Sequence, residues 1–166
     1  DSLTNLPNRM LIMDRLKQAL AVAIRESSML GVLFIDLDNF KRINDTLGHN
    51  SGDTLLCFVS HLMLSLLRQC DTLGRLGGDE FIVIVSRAES HEALIKVAEK
   101  ILESLAMPVI VENMEIIPSC SIGISAYPDH SAHPDELLQM ADTAMYEAKN
   151  KGRNNYAFYH SALTQK

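Results

Sequence analysis

Gly77-Gly78-Asp79-Glu80-Phe81 decides the reading of this chain, flanked by Asp71-Thr72-Leu73-Gly74-Arg75-Leu76 before it and Ile82-Val83-Ile84-Val85 after it. Two strand-like runs joined by two glycines predict a hairpin, because glycine enters positive φ without strain. The strands are expected over Thr72–Leu76 and Phe81–Val85. Two carboxylates, Asp79 and Glu80, then stand at an exposed tip. Negative charge placed on a tight turn points to a hard cation, which prefers carboxylate oxygens.

Gly31-Val32-Leu33-Phe34-Ile35 reads as a buried strand that runs into Asp36-Leu37-Asp38, where alternation sets both aspartates on one face. If this strand neighbours the hairpin, Asp36, Asp79 and Glu80 meet at one sheet edge. Such oxygen donors suit Mg²⁺, which takes few carboxylates and keeps positions for phosphate oxygens. Pro7–Ser27 is expected as a helix with Met10, Leu11, Met13, Leu16, Leu20 and Ile24 on its apolar face. A helical segment from Asn39 is expected to break over Gly48–Gly52 and resume over Asp53–Gln69. Ser90–Leu105 reads as an amphipathic helix with Ser90 as its N-cap. Val109–Val111 and Glu115–Ser125 read as strands around an Glu112-Asn113 turn, Pro134–Lys151 as a helix stopped by Gly152, and Tyr156–Tyr159 as a last strand. Hairpins mixed with crossovers predict an α+β fold with a mainly antiparallel central sheet flanked by helices.

The chain has 166 residues, a length that fits a single domain over 1–166. Hydrophobic residues make up 47% and charged residues 22%, an ordinary globular balance. The formal net charge of −6 argues against a nucleic-acid polymer as partner, while a small anion remains bindable where cations are focused. Three cysteines without a Cys-x-x-Cys read as reduced thiols of a cytoplasmic protein. No apolar run approaches the roughly 20 residues of a membrane span. Asp1 stands inside a motif, which reads as a module excised from a longer, multidomain protein able to carry sensors or a membrane anchor.

Five motifs together resemble the GGDEF domain family, the bacterial diguanylate cyclases. Beside Gly77–Phe81 these are Asp1-Ser2-Leu3-Thr4-Asn5-Leu6-Pro7-Asn8-Arg9, the ungapped Asp36–Asp53 stretch, Arg68-Gln69-Cys70-Asp71, and Ala148-Lys149-Asn150-Lys151-Gly152-Arg153-Asn154. Asn5 stands where the family most often has glycine; asparagine tolerates the left-handed backbone, so the turn is expected to survive. The resemblance implies the nucleotidyl cyclase/polymerase palm (ferredoxin-like) fold. It implies metal ligation by Asp36, Asp79 and the Leu37 carbonyl, with Mg²⁺ as the cofactor and Mn²⁺ as the alternative. It also implies catalytic roles for Asp79 as proton acceptor, Glu80, and Lys41 as stabiliser of the transition state.

Substrate contacts are implied for Asn39, Phe40, Asn44, His49 and Asp53, with Lys149 and Arg153 holding the outer phosphates. Free N–H groups where the strand turns into a helix bind phosphate without basic side chains. Asn44 and Asp53 suit guanine, whose N1–H and N2–H donors a carboxylate accepts together, whereas adenine N1 would set a lone pair against it. Arg68 and Asp71 match the family's inhibitory site for the cyclic product; guanidinium and carboxylate can both read guanine.

The implied reaction joins two GTP molecules into cyclic di-GMP with release of two pyrophosphates, across a two-fold homodimer of half-sites. The alternative is a non-catalytic GGDEF domain that senses GTP or cyclic di-GMP, or dimerises, beside a phosphodiesterase. A second alternative is another nucleotidyl cyclase or a polymerase palm, which rests on fold analogy alone. Retention of Asp36, Asp79, Glu80, Lys41, Asn44 and Asp53 favours the enzyme. Phe158–Lys166 resembles the start of a linker to an EAL phosphodiesterase domain.

Overall fold

The computed structural model describes residues 1–161; residues 162–166, most of the expected linker, lie outside that range. The apolar run Gly31–Ile35 lies within β1 (Met29–Leu37), buried from Leu30 to Leu37 as an unbroken run of that kind requires. It pairs antiparallel with β3 (Glu80–Ala88) on one side and with β6 (Cys120–Tyr127) on the other. β2 (Thr72–Gly77) closes the diglycine hairpin on β3, and β7 (Asn155–Phe158) runs parallel to β6. The strand order is β2-β3-β1-β6-β7. The result is the expected α+β architecture, with one parallel edge in a sheet that is otherwise antiparallel.

Alternation along β1 divides the core. Leu30, Val32 and Phe34 pack with Ile12, Leu16 and Leu20 of α1 (Arg9–Glu26) and with Leu137, Ala141 and Met145 of α5 (Pro134–Asn150). Leu33, Ile35 and Leu37 pack with Leu55, Val59 and Met63 of α3 (His49–Leu66) and with Leu94, Ala98 and Ile101 of α4 (His91–Leu105). The short α2 (Phe40–Leu47) leads straight from β1 to α3. At Gly123 of β6 an added Cβ would lie 1.9 Å from the Ala141 carbonyl, so α5 rests directly on strand backbone.

Several sequence expectations change. The buried stripe of α1 is Ile12, Leu16, Leu20 and Ala23; Met10, Leu11 and Ile24 are exposed, because the helix begins after the Asn8 N-cap and presents a different sector to the sheet. Asn8 Oδ1 accepts the Leu11 N–H at 3.0 Å. The break between α2 and α3 is Gly48 alone, at φ 94°. Asp53 therefore sits inside α3 and is no helix cap, and α3 ends at Leu66, before Arg68 and Gln69. The expected Glu115–Ser125 strand is two strands. Pro118 lacks the N–H that continues a ladder, so β5 (Met114–Ile116) folds back on β4 (Val109–Val111) as a separate hairpin and β6 begins at Cys120. Ser90 caps α4 as expected, accepting the Ala93 N–H at 3.2 Å, and Asn5 does take the left-handed region at φ 61°. Among the described residues no helix is long and apolar enough to cross a membrane, and Cys57, Cys70 and Cys120 are free thiols.

Candidate active site

The hairpin brings its acids to the end of β1. Gly77 and Gly78 take φ 146° and 50°, and the strand pairing continues to the tip, with Glu80 in register with Asp36 and the Asp79 carbonyl accepting the Leu37 N–H at 3.1 Å. Asp36 is 7% exposed. Burial pushes its carboxyl up to about 7, and the facing Asp79 carboxylate adds to the rise. The Lys149 ammonium, paired with Asp36 Oδ2, opposes both effects. Lys149 thus reaches this acid pair from the last turn of α5.

Glu80 does not join the two aspartates in a three-carboxylate cluster; among the described residues no group of three or more His, Cys, Asp or Glu side chains is arranged to hold a metal. Its register sets it toward α1 and α5, where it lines a cleft of about 350 Å³ with Arg9 and Asp142. Burial raises the Glu80 carboxyl, Asp36 and Asp142 raise it further, and Arg9 offsets part of the rise. Asp142 is raised in the same way, by burial and then Asp36.

A hard cation fits this corner. Asp36 Oδ1 is buried with no hydrogen-bond partner, and an orphaned carboxylate oxygen beside a second carboxylate is the donor set such an ion takes. Two carboxylates would leave the remaining positions to a backbone carbonyl such as that of Leu37, to water and to phosphate.

The second wall is the β1–α2–α3 turn. Asn39 sits at φ 58°, ψ 22°, and α2 starts behind it with no side-chain cap, which leaves its first backbone N–H groups available. Phe40 is buried, while Asn39, Lys41, His49 and Asp53 are exposed on this side of the fold. Asn44 Oδ1 is buried without a hydrogen-bond partner. It lies over Gly52, where an added Cβ would come within 1.7 Å of it, so the glycine inside α3 makes room for the Asn44 amide.

Asp38 was not among the expected site residues. It is 5% exposed and accepts from Ser119 Oγ and Ser121 Oγ, both at 2.7 Å, and from the Asn154 N–H at 2.9 Å. Arg9 and Asp142 were also missed. Arg9 stands in the first motif, as a letter of a turn, whereas Asp142 lies in the expected Pro134–Lys151 helix, outside every quoted motif. Arg75 braces the hairpin: Nε donates to the Gly78 carbonyl at 3.0 Å, Nη1 reaches both Asp1 oxygens at 3.1 Å, and its N–H donates to the Pro7 carbonyl at 3.0 Å. Arg153 follows α5 in a turn at φ 63° and is exposed.

Arg68 and Asp71 lie apart from these acids, near the far end of β3. Arg68 Nη2 donates to Asp71 Oδ1 at 2.9 Å, Nε to Oδ2 at 3.1 Å, and Nη2 also to the Ser86 carbonyl at 2.6 Å. Arg68 borders a cleft of about 320 Å³ shared with Arg87, Lys96 and Lys100.

The family model described as diguanylate cyclase, GGDEF domain, matches residues 1–155. The bifunctional diguanylate cyclase/cyclic di-GMP phosphodiesterase MucR of Pseudomonas aeruginosa is 45% identical over 163 residues, 98% of this chain and 24% of that protein. The cyclic di-GMP phosphodiesterase PdeR of Escherichia coli is 40% identical over 166 residues, 100% of this chain and 25% of that protein. Among solved structures, a truncated TpbB (YfiN) from Pseudomonas aeruginosa comprising only the GGDEF domain is similar with a TM-score of 0.97 and 40% identity, covering 99% of this chain and 96% of that one. The chain spans about a quarter of the length of the two curated relatives.

Proposed function

The chain belongs to the diguanylate cyclase GGDEF-domain family, and we propose that it condenses two GTP molecules into cyclic di-GMP with release of two pyrophosphates. The observation that carries this reading is the facing Asp36–Asp79 pair with its orphaned buried oxygen beneath the Lys149 ammonium. Asp36, Asp79 and the Leu37 carbonyl would hold Mg²⁺, with Mn²⁺ as the alternative. A divalent ion bound there supplies charge neutralisation on the triphosphate and a lowered pKa for the attacking hydroxyl.

The protein's own groups do the remainder. Asn44 and Asp53 read the guanine edge, and Phe40 and His49 line its site. The N–H groups after Asn39, together with Lys149 and Arg153, hold the outer phosphates. In each of two condensations the 3′-oxygen of one GTP bonds to the α-phosphorus of the other, and the bond from that phosphorus to the bridging oxygen of the β-phosphate breaks, releasing pyrophosphate. The 3′-hydroxyl proton passes to Asp79 with Glu80 beside it, and Lys41 stabilises charge on the transferring phosphate. One chain offers one such site, so two chains face each other across a two-fold axis, and activity per chain rises with protein concentration.

The reaction draws on cytoplasmic GTP. Arg68 and Asp71, with the basic cleft beside them, would take up the product and restrain turnover. The second reading, a GTP or cyclic di-GMP sensing or dimerisation module beside a phosphodiesterase such as an EAL domain, draws support from the 40% identity to PdeR. Incubation with GTP and Mg²⁺, resolved by chromatography, separates the two. Cyclic di-GMP formed by the wild type and lost in Asp79→Ala supports the cyclase. GTP binding without product supports the sensor.

A further inference from the structure

We propose that Asp38, which the reaction above does not use, is a positioning residue that holds the Arg153 turn against the end of β1; this rests on the reading that Arg153 binds the outer phosphates of GTP. A carboxylate taken out of water must have its oxygens satisfied. Asp38 meets that demand with neutral donors from distant parts of the chain: Ser119 and Ser121 at the start of β6, and the backbone N–H of Asn154 after α5. Its own N–H donates to the Ser119 carbonyl at 2.9 Å. Ser121 is also the strand partner of Asp36 on one side and of Asn155 on the other. One buried carboxylate therefore ties the strand end carrying Asp36 and Leu37 to the turn carrying Arg153.

That turn needs a tie. Gly152 takes φ 111°, and Arg153 and Asn154 follow at 63° and 47°, two successive side-chain-bearing residues in the left-handed region. The helix end satisfies the chain up to Arg153, whose N–H donates to the Ala148 carbonyl at 3.2 Å. The next anchor is the bond from Asn154 to Asp38. Two oxygens receiving three donors call for a carboxylate, which offers about four lone-pair sites and brings no N–H of its own. Asp38 does not touch the substrate in this scheme; it acts through Asn154 on the placement of Arg153.

The test measures the affinities of GTP and of guanosine by calorimetry in the presence of Mg²⁺, for wild type, Asp38→Ala, Asp38→Asn, Arg153→Ala and the Asp38→Ala/Arg153→Ala double variant. Asp38→Ala is expected to weaken GTP binding about tenfold, the size of one lost hydrogen bond to a charged group, and to leave guanosine within about twofold. Asp38→Asn keeps an oxygen for Asn154 and turns its amide to Ser121 Oγ, so it recovers most of the loss. The double variant binds GTP no more weakly than Arg153→Ala alone. Equal loss for both ligands, or multiplying losses in the double variant, overturns the proposal. If Asp38→Ala does not fold, Ser121→Ala carries the test, with a GTP-selective loss of about threefold expected and a ligand-independent loss overturning it. A wild type that binds GTP no better than guanosine sinks the phosphate reading and this proposal with it. Selectivity lost in Arg153→Ala but kept in Asp38→Ala sinks the proposal alone.

Discussion

The two ends of the central sheet both gather titratable groups, and they treat them in opposite ways. At the hairpin end, Asp36 and Asp79 face each other and Asp36 Oδ1 has no donor. At the other end, His130 Nδ1 accepts the Ala126 N–H at 2.9 Å, and its ring stands edge-on to Tyr159, with centroids 5.2 Å apart, and close to Phe158. His91 pairs there with Asp129. Burial lowers the His130 imidazole below its ordinary value, with Asp129 opposing. Both ends thus hold perturbed groups, but of Asp36 and His130 only Asp36 keeps a buried atom without a hydrogen-bond partner. A shifted pKa alone does not mark chemistry; a shifted pKa beside unmet hydrogen-bonding capacity does.

Asp36→Asn is expected to have the largest effect. Loss of cyclic di-GMP formation by about a thousandfold or more is expected from removing one member of an electrostatic centre, read by chromatography. In metal-free protein the same variant is expected to raise stability on the alkaline side. Between 3.8 and about 7 the folded chain keeps a proton on Asp36 that the unfolded chain releases, so stability falls as pH rises through that window. Asparagine removes the cost of the buried charge, so melting curves should show a gain at about pH 8 and none at about pH 4. No gain at pH 8 would mean that Lys149 fully compensates the acid.

His130→Ala probes the other end. It strands the Ala126 N–H and should cost about 1–3 kcal/mol by denaturant titration, while GTP affinity stays unchanged. Its pH signature is the reverse. The unfolded chain takes up a proton below the ordinary 6.5 before the folded one does, so stability falls as pH falls through that region. His130→Ala should flatten that acid flank. The smallest effect is expected from Asp129→Asn. The His91–Asp129 pair is exposed, so the loss should stay below about 1 kcal/mol and shrink with added salt.

Much of this was legible in the chain. The diglycine turn, the strand running into Asp36 and the Ser90 cap are local, and local rules found them. The edge position and parallel direction of β7 are not local, because nothing in Asn155–Phe158 names Ser121–Ile124 as its partner. Pro118 was in plain view, yet the apolar letters around it outweighed its missing N–H. Asp38 escaped for a sharper reason. Its meaning depends on Ser119 and Ser121, more than eighty positions away in sequence, so before folding it looks like one more acid at a strand end.

The bare backbone at Gly123 acts as a spacer of zero thickness. Because nothing stands between that strand and the Ala141 carbonyl, α5 lies at its minimum height over the sheet, and that height sets how far Lys149 must stretch to meet Asp36. A single methyl group at position 123 would raise the whole rod and draw the ammonium off the acid, altering a charge contact through a residue that carries neither charge nor side chain.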